Sequence, residues 1–221
     1  MFKNLSIILL FIIFVGCRID FVGDLYTSDL QDLASTKSDK SFNLPMEISF
    51  QVAACEDLDQ VNRVISTYFI DYKNIGCSMG DDFMSYTKAQ VSVPVVNSYE
   101  IFQASDNSLI GFVSYLSEDN LDILIDAVIN SGSYASLQNY VYNETFTELS
   151  LSESNLAIKL NNDLDLATIE VPPSFVDSKP VVFSETYEMD RRDMIIIKVS
   201  NVNTLYLEEN MWTPLFSMKT Q

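Results

Sequence analysis

Cysteine and carboxylate are the side chains with which this chain of 221 residues could do chemistry, because it contains no histidine. Without imidazole there is no Ser-His-Asp or Cys-His nucleophile pair and no His ligand for a metal. Cysteines stand at positions 17, 55 and 77, too far apart for the Cys-x-x-Cys spacing of a redox-active thiol pair. Acids number 31 against 13 basic residues, a net charge of −18, so a paired-carboxylate hydrolase can be assembled on paper. Its candidates are Asp81, Asp82 and Asp163. Asn161, Asn162, Asp163 and Asp165 offer oxygens to calcium, but Leu164 and Leu166 interleave and the glycine of an EF-hand loop is missing. That stretch reads better as a turn. The six glycines form no phosphate-binding loop, dinucleotide fingerprint or nucleophile elbow. Strong acidity also argues against binding a phosphate backbone. The residues therefore point to a protein that is not an enzyme, with no cofactor and no metal.

Cys17 has a different context. Lys3 precedes an apolar run, Leu5 to Val15, broken only by Ser6. This is the shape of an export signal, and it falls short of the roughly 20 residues that span a bilayer. Phe14-Val15-Gly16-Cys17 resembles a bacterial lipobox, with Phe14 where Leu is usual. The resemblance implies cleavage after residue 16, acylation of Cys17 (palmitate among the chains) and attachment to a membrane. Arg18, where Asp would signal inner-membrane retention, implies the periplasmic face of the outer membrane. The other reading of the segment is a buried N-terminal strand or helix. Val52-Ala53-Ala54-Cys55 has a similar form but lacks the basic flank and apolar run. With Cys17 acylated, Cys55 and Cys77 remain in an oxidising compartment and are expected to form a disulfide. Two buried free thiols are the alternative.

Cys17-Arg18-Ile19-Asp20, Asp24 to Leu30 and Val93 to Ser98 together resemble uncharacterised lipoproteins of Gram-negative bacteria, often carried on prophages or other mobile elements. That group has no activity to transfer. Leu25-Tyr26-Thr27 is also similar to a segment of the lipoprotein that builds the inner-membrane ring of type III secretion systems, which implies a ring or scaffold role as an alternative.

Elements must position these residues. Met46, Ile48, Phe50 and Val52 alternate with polar residues, the period of a half-buried strand. Leu58, Val61, Ile65, Tyr68 and Phe69 follow at helical spacing, with Gly76 expected to stop the helix. Strands are expected within 83–96 and 109–116. A second helix is expected to open at Glu118, with the face Leu121, Leu124, Ile125, Val128 and Ile129, and a strand to follow within 134–150. That order predicts an α+β fold, a ferredoxin-like (split β-α-β) module over 42–144, preceded by a signal peptide (1–16) and a lipidated membrane-proximal segment and linker (17–41). Residues 145–221 are expected to form a β-rich, sandwich-like module with strands near 146–151, 156–160, 164–171, 180–183, 194–199 and 212–218 and a helix near 203–209.

Tyr134, Tyr140 and Tyr142 cluster at the expected junction and suit an interface, since tyrosine has an apolar body and a polar tip. Arg191-Arg192 is a tight basic pair. These five are the expected partner contacts, with core packing and local ion pairs as the other readings. The function expected is that of a lipid-anchored acidic envelope protein that binds another envelope protein, in the exclusion of a competing phage or plasmid. The alternatives are a carboxylate-based hydrolase and a ring or scaffold component of a secretion or conjugation machine. Acidity is expected to hold the body off an anionic bilayer over roughly 10 Å.

Overall fold

The computed structural model describes residues 18–36, 39–52, 54–56, 58–80, 83–105, 108–145 and 148–220. The elements run β1 (Ile19–Tyr26), α1 (Thr27–Ala34), β2 (Ser41–Val52), α2 (Asp59–Ile65) with a 3-10 turn (Ser66–Tyr68), β3 (Ile70–Met79), β4 (Ser85–Val96), α3 (Tyr99–Gln103), β5 (Ile110–Leu116), β6 (Asp122–Ile129) and α4 (Ser131–Thr145). They continue as β7 (Leu156–Asn161), β8 (Leu166–Val171), β9 (Ser174–Val176), β10 (Lys179–Val181), β11 (Glu185–Asp190), β12 (Met194–Val199), α5 (Asn201–Asn210) and β13 (Trp212–Lys219).

All thirteen strands join one sheet in the order β10-β9-β12-β7-β1-β2-β4-β5-β6-β13-β8-β11, with β3 paired to β4 beside this path. The two ends of the order, β10 and β11, are linked by residues 182–184 alone. Four residue steps reach at most about 14 Å, so the edges lie close and the sheet is a nearly closed barrel. Strands from before residue 145 form one continuous run, β1-β2-β4-β5-β6, and strands from after it extend the sheet at both ends of that run. β1 pairs with β7 in parallel and β6 with β13 antiparallel.

Alternation explains which face looks inward. On β2, Leu44, Met46, Ile48 and Phe50 are buried and Asn43, Pro45 and Glu47 exposed; on β12, Ile195, Ile197 and Val199 are buried and Met194, Ile196 and Lys198 exposed. The inward set fuses into one apolar core from Ile19 to Met218.

Register fixes which connections share a rim. Ile19 sits opposite Phe50 and Val52 opposite Ser85, which also faces Met79. Phe21 faces Leu156, Lys198 faces Ala157, and Val199, Ser174 and Val181 lie side by side. The start of β1, the β3–β4 tip, the β10–β11 link and the start of α5 therefore belong to one rim, called here the N-terminal rim. α5 crosses the mouth there from β12 to β13, and α4 leads from β6 back towards β7. At the other rim α1 buries Thr27, Leu30 and Leu33, and the Ser114 hydroxyl on β5 donates to the Leu30 carbonyl.

This architecture corrects the expected ferredoxin-like α+β module with a separate sandwich: half of the chain is strand and about a quarter helix, in one barrel-like sheet. The decisive misreading is residues 118–132. Asp122-Ile-Leu-Ile-Asp-Ala-Val-Ile129 has apolar residues at helical spacing, yet it is β6. Ile123, Ile125, Ala127 and Ile129 face the core, while Val128 is buried on the other side against Val96, Phe102 and Val113. Burial on both faces erases the period of two. The strand expected within 134–150 is the helix α4 instead. Gly76 is not a helix stop. It lies in β3 with φ +141°, where the pairing with β4 slips by a residue, a bulge that glycine permits. The membrane-proximal segment enters the sheet directly: β1 begins at Ile19, in the middle of the sheet order, and α1 follows it.

Candidate functional site

A groove lies between α4 and α5 over the N-terminal rim. Its volume is about 580 Å³, and Gln138, Asn139 and Tyr142 on α4, Glu148 to Ser150 beyond it, and Leu205, Glu208 and Glu209 on α5 line it. α5 is positioned from both sides. Ser200 caps its first turn, accepting from the Asn203 amide, and Met211 ends it in the left-handed region with φ +65°. Thr204 and Leu207 are buried beneath it, while Val202, Leu205 and Tyr206 point outward. The Tyr206 ring meets Trp212 edge-on at 5.6 Å between centroids.

Glu208 ties the groove together. Its carboxylate accepts from the Tyr134 hydroxyl at 2.5 Å, the Ser150 hydroxyl at 2.9 Å and the amides of Leu151 and Ser152 at 3.0 and 3.3 Å. α4, the segment after it and α5 are thus held by one carboxylate. Burial, reinforced by the bond to Glu208, pushes the Tyr134 hydroxyl well above the usual tyrosine range.

The predicted contacts separate. Tyr134 is buried and bonded within the groove floor, Tyr140 is half-buried against the core, and Tyr142 is exposed and lines the groove. Burial, then the nearby Glu144, raise the Tyr140 hydroxyl. Arg191 and Arg192 sit far away, in the β11–β12 turn at the opposite rim. Arg191 lies 3.6 Å from Asp165, and Arg192 has φ +79°. Cys55 and Cys77 form a disulfide with Cα atoms 5.7 Å apart, joining the segment before α2 to β3. Cys17, Asp81 and Asp82 lie outside the described residues.

Asn162 and Asp163 are engaged in the fold. Asp163 accepts from the Ser28 amide at 2.9 Å and from the Ser28 and Thr27 hydroxyls, so it caps α1 from across the sheet. Asn162 accepts from Thr27 and donates to the Met189 carbonyl. Among the described residues no three metal-ligating side chains gather, and no helix is long and apolar enough to cross a membrane.

Sequence reasoning missed Leu205, Tyr206, Glu208 and Trp212. A signal was available. Asn201–Asn210 carries more apolar side chains than one buried stripe of a ten-residue helix needs, and the surplus had to face outward.

Residues 23–221 match a family model described as a domain of unknown function, DUF7424. The chain belongs to the DUF7424 family. The match begins within β1 and covers the rest of the barrel, including the α4–α5 groove, while the lipobox-like segment precedes it. No curated protein matches the chain.

Proposed function

We propose that this DUF7424 protein is a lipid-anchored, acidic component of the bacterial cell envelope that binds another envelope protein through the α4–α5 groove. The groove carries the reading. Leu205 and Tyr142, 45% and 53% exposed, stand beside a buried Leu149, with exposed Glu148 and Glu209 at the margin. Apolar side chains ringed by acids fit a partner segment that presents an aliphatic or aromatic anchor between Lys or Arg residues. The aromatic pair Tyr206–Trp212 extends the apolar surface, and aromatics of this kind dominate interface energetics. The anchor reading rests on the resemblance of Phe14 to Cys17 to a lipobox. The setting, exclusion of a competing phage or plasmid, rests on the likeness to lipoproteins of mobile elements.

A photo-crosslinking residue placed at Leu205 tests the partner. Cells should yield one discrete adduct from that position, none from a probe at Leu166 on the opposite rim, and a loss of the adduct when Glu148 and Glu209 are changed to Lys. Equal yields from both probes would sink the groove assignment. For the anchor, labelled palmitate should mark the parent chain and not Cys17→Ser.

A further inference from the structure

The five most exposed large apolar side chains among the described residues are Phe83 (85%), Phe183 (80%), Val202 (75%), Val182 (69%) and Met79 (67%). They come from three connections distant in sequence. Met79 and Phe83 flank the β3–β4 tip, Val182 and Phe183 form the link between β10 and β11, and Val202 lies in the first turn of α5. Strand direction puts all three connections on the N-terminal rim. The opposite rim offers Leu121, Leu166, Tyr26 and Met194, all less exposed.

Arg18 begins the described chain on that same rim, between these groups. In the sheet order β12, which leads to Val202, lies two strands to one side of β1, and β4, which follows Phe83, lies two strands to the other. Neighbouring strands are about 4.8 Å apart, so Phe83 and the start of α5 stand on the order of 10 Å from Arg18, and Val182 and Phe183, which follow β10 four strands away, about 20 Å. A residue at position 17 is one peptide link from Arg18, about 3.8 Å from Cα to Cα. β1 starts at Ile19 and pairs with β2 and β7, and the Arg18 carbonyl already accepts from the Gln51 amide, so the described chain is fixed to the barrel from Arg18 onward.

We propose that the N-terminal rim is the face the barrel lays against a lipid bilayer, with Met79 and Phe83 on one side of Arg18 and Val182, Phe183 and Val202 on the other entering the headgroup region. This rests on the reading of Cys17 as the acylated residue. An anchor without a tether brings the rim to the headgroups, and apolar groups are what an interface of that kind accepts. Exposed Glu56, Glu153 and Glu185 share the rim, so the contact is apolar and interfacial, and anionic lipid adds nothing to it. The α4–α5 groove opens over this same rim, so its partner segment is met at the membrane surface, while the acids of the barrel wall and the opposite rim face away, which replaces the expected stand-off by a fixed orientation.

Depth-dependent quenching tests it on the full chain. Single-tryptophan versions, Phe83→Trp, Phe183→Trp and the control Leu166→Trp, each combined with Trp212→Phe, are expressed with labelled palmitate. They are then reconstituted in phosphatidylethanolamine–phosphatidylcholine vesicles bearing a headgroup nitroxide. Quenching at 83 and 183 should exceed that at 166 about threefold or more. Palmitate on Cys17 with equal quenching at all three positions overturns the proposal and leaves the anchor standing. No palmitate and no quenching overturns both. Quenching at 83 and 183 without palmitate supports the face and overturns the anchor. Light scattering of Cys17→Ser checks the competing occupant. A monomer is expected, and a dimer abolished by Phe83→Ser with Phe183→Ser would make the rim a self-interface and overturn the proposal.

Discussion

The Tyr99 hydroxyl donates a hydrogen bond to the buried Asp126 carboxylate, pinning α3 to the outer face of β6. The Tyr115 hydroxyl reaches the same oxygen at 3.0 Å, and the two rings lie 5.9 Å apart. Burial pushes the Asp126 carboxyl above its usual range, although both tyrosines pull it down. A raised carboxyl pKa means that the folded state holds the proton more tightly than the unfolded chain. The stability this group contributes is therefore present at low pH and lost as pH rises through the folded value. Asp126→Asn keeps an acceptor without the charge, so it should gain on the parent between pH 4 and 7 in urea unfolding. A parent that gains instead would contradict the assignment. Tyr99→Phe should cost about 1–3 kcal/mol at neutral pH, because a buried charge loses a donor.

Gly111 makes room for the same small cluster. A Cβ there would stand 2.4 Å from Phe102 Cε2 and 2.9 Å from the Pro94 carbonyl oxygen. Gly111→Ala should destabilise by about 1–3 kcal/mol through overpacking. Combined with Phe102→Leu it should cost less than the sum of the two single changes. Additive urea midpoints would show that the two residues do not compete for space.

How much of this was readable depends on how many faces each segment buries. β2 and β12 have one wet face, and their alternation located them. β6 is covered by the core on one side and by α3 on the other, so its eight residues carried no alternation and passed for a helix. α4 was missed for a related reason. Ser, Gly, Asn and Thr dilute its pattern, and its buried stripe is only Tyr134, Leu137 and Val141. The disulfide was readable from the cysteine count together with the expectation of export to an oxidising compartment. Glu208 was not, because nothing local marks a carboxylate whose donors lie 56 to 74 residues away in the chain.

Asp163 illustrates the same point from the opposite rim. As the cap of α1 it should be replaceable by Asn, whereas Asp163→Ala should cost about 1 kcal/mol at pH 7. Burial acts to raise its carboxyl, but the bonds from Ser28 and Thr27 outweigh this and hold it below the usual range. A depressed carboxyl contributes stability above its unfolded value, and that contribution fades as pH falls through the folded one. The gap between parent and Asp163→Ala should therefore close below about pH 4. Thermal melts at pH 7 and pH 3 read it directly, and a gap that widens in acid would rule out the cap.

Glu208 joins stability to the proposed function. Four donors converge on it from α4 and from Ser150 to Ser152. Glu208→Ala leaves the buried Tyr134 hydroxyl and two amides to find other acceptors, so it should cost about 3 kcal/mol in urea unfolding. The same change releases the groove wall formed by Leu149 and Ser150. Crosslinking from Leu205 should then fall even under conditions where the variant remains folded by circular dichroism. Tyr134→Phe removes one donor and leaves three, so it should lose less stability and keep most of the adduct. If Glu208→Ala lowers stability yet leaves the adduct unchanged, the carboxylate holds the fold together but does not shape the surface that meets the partner.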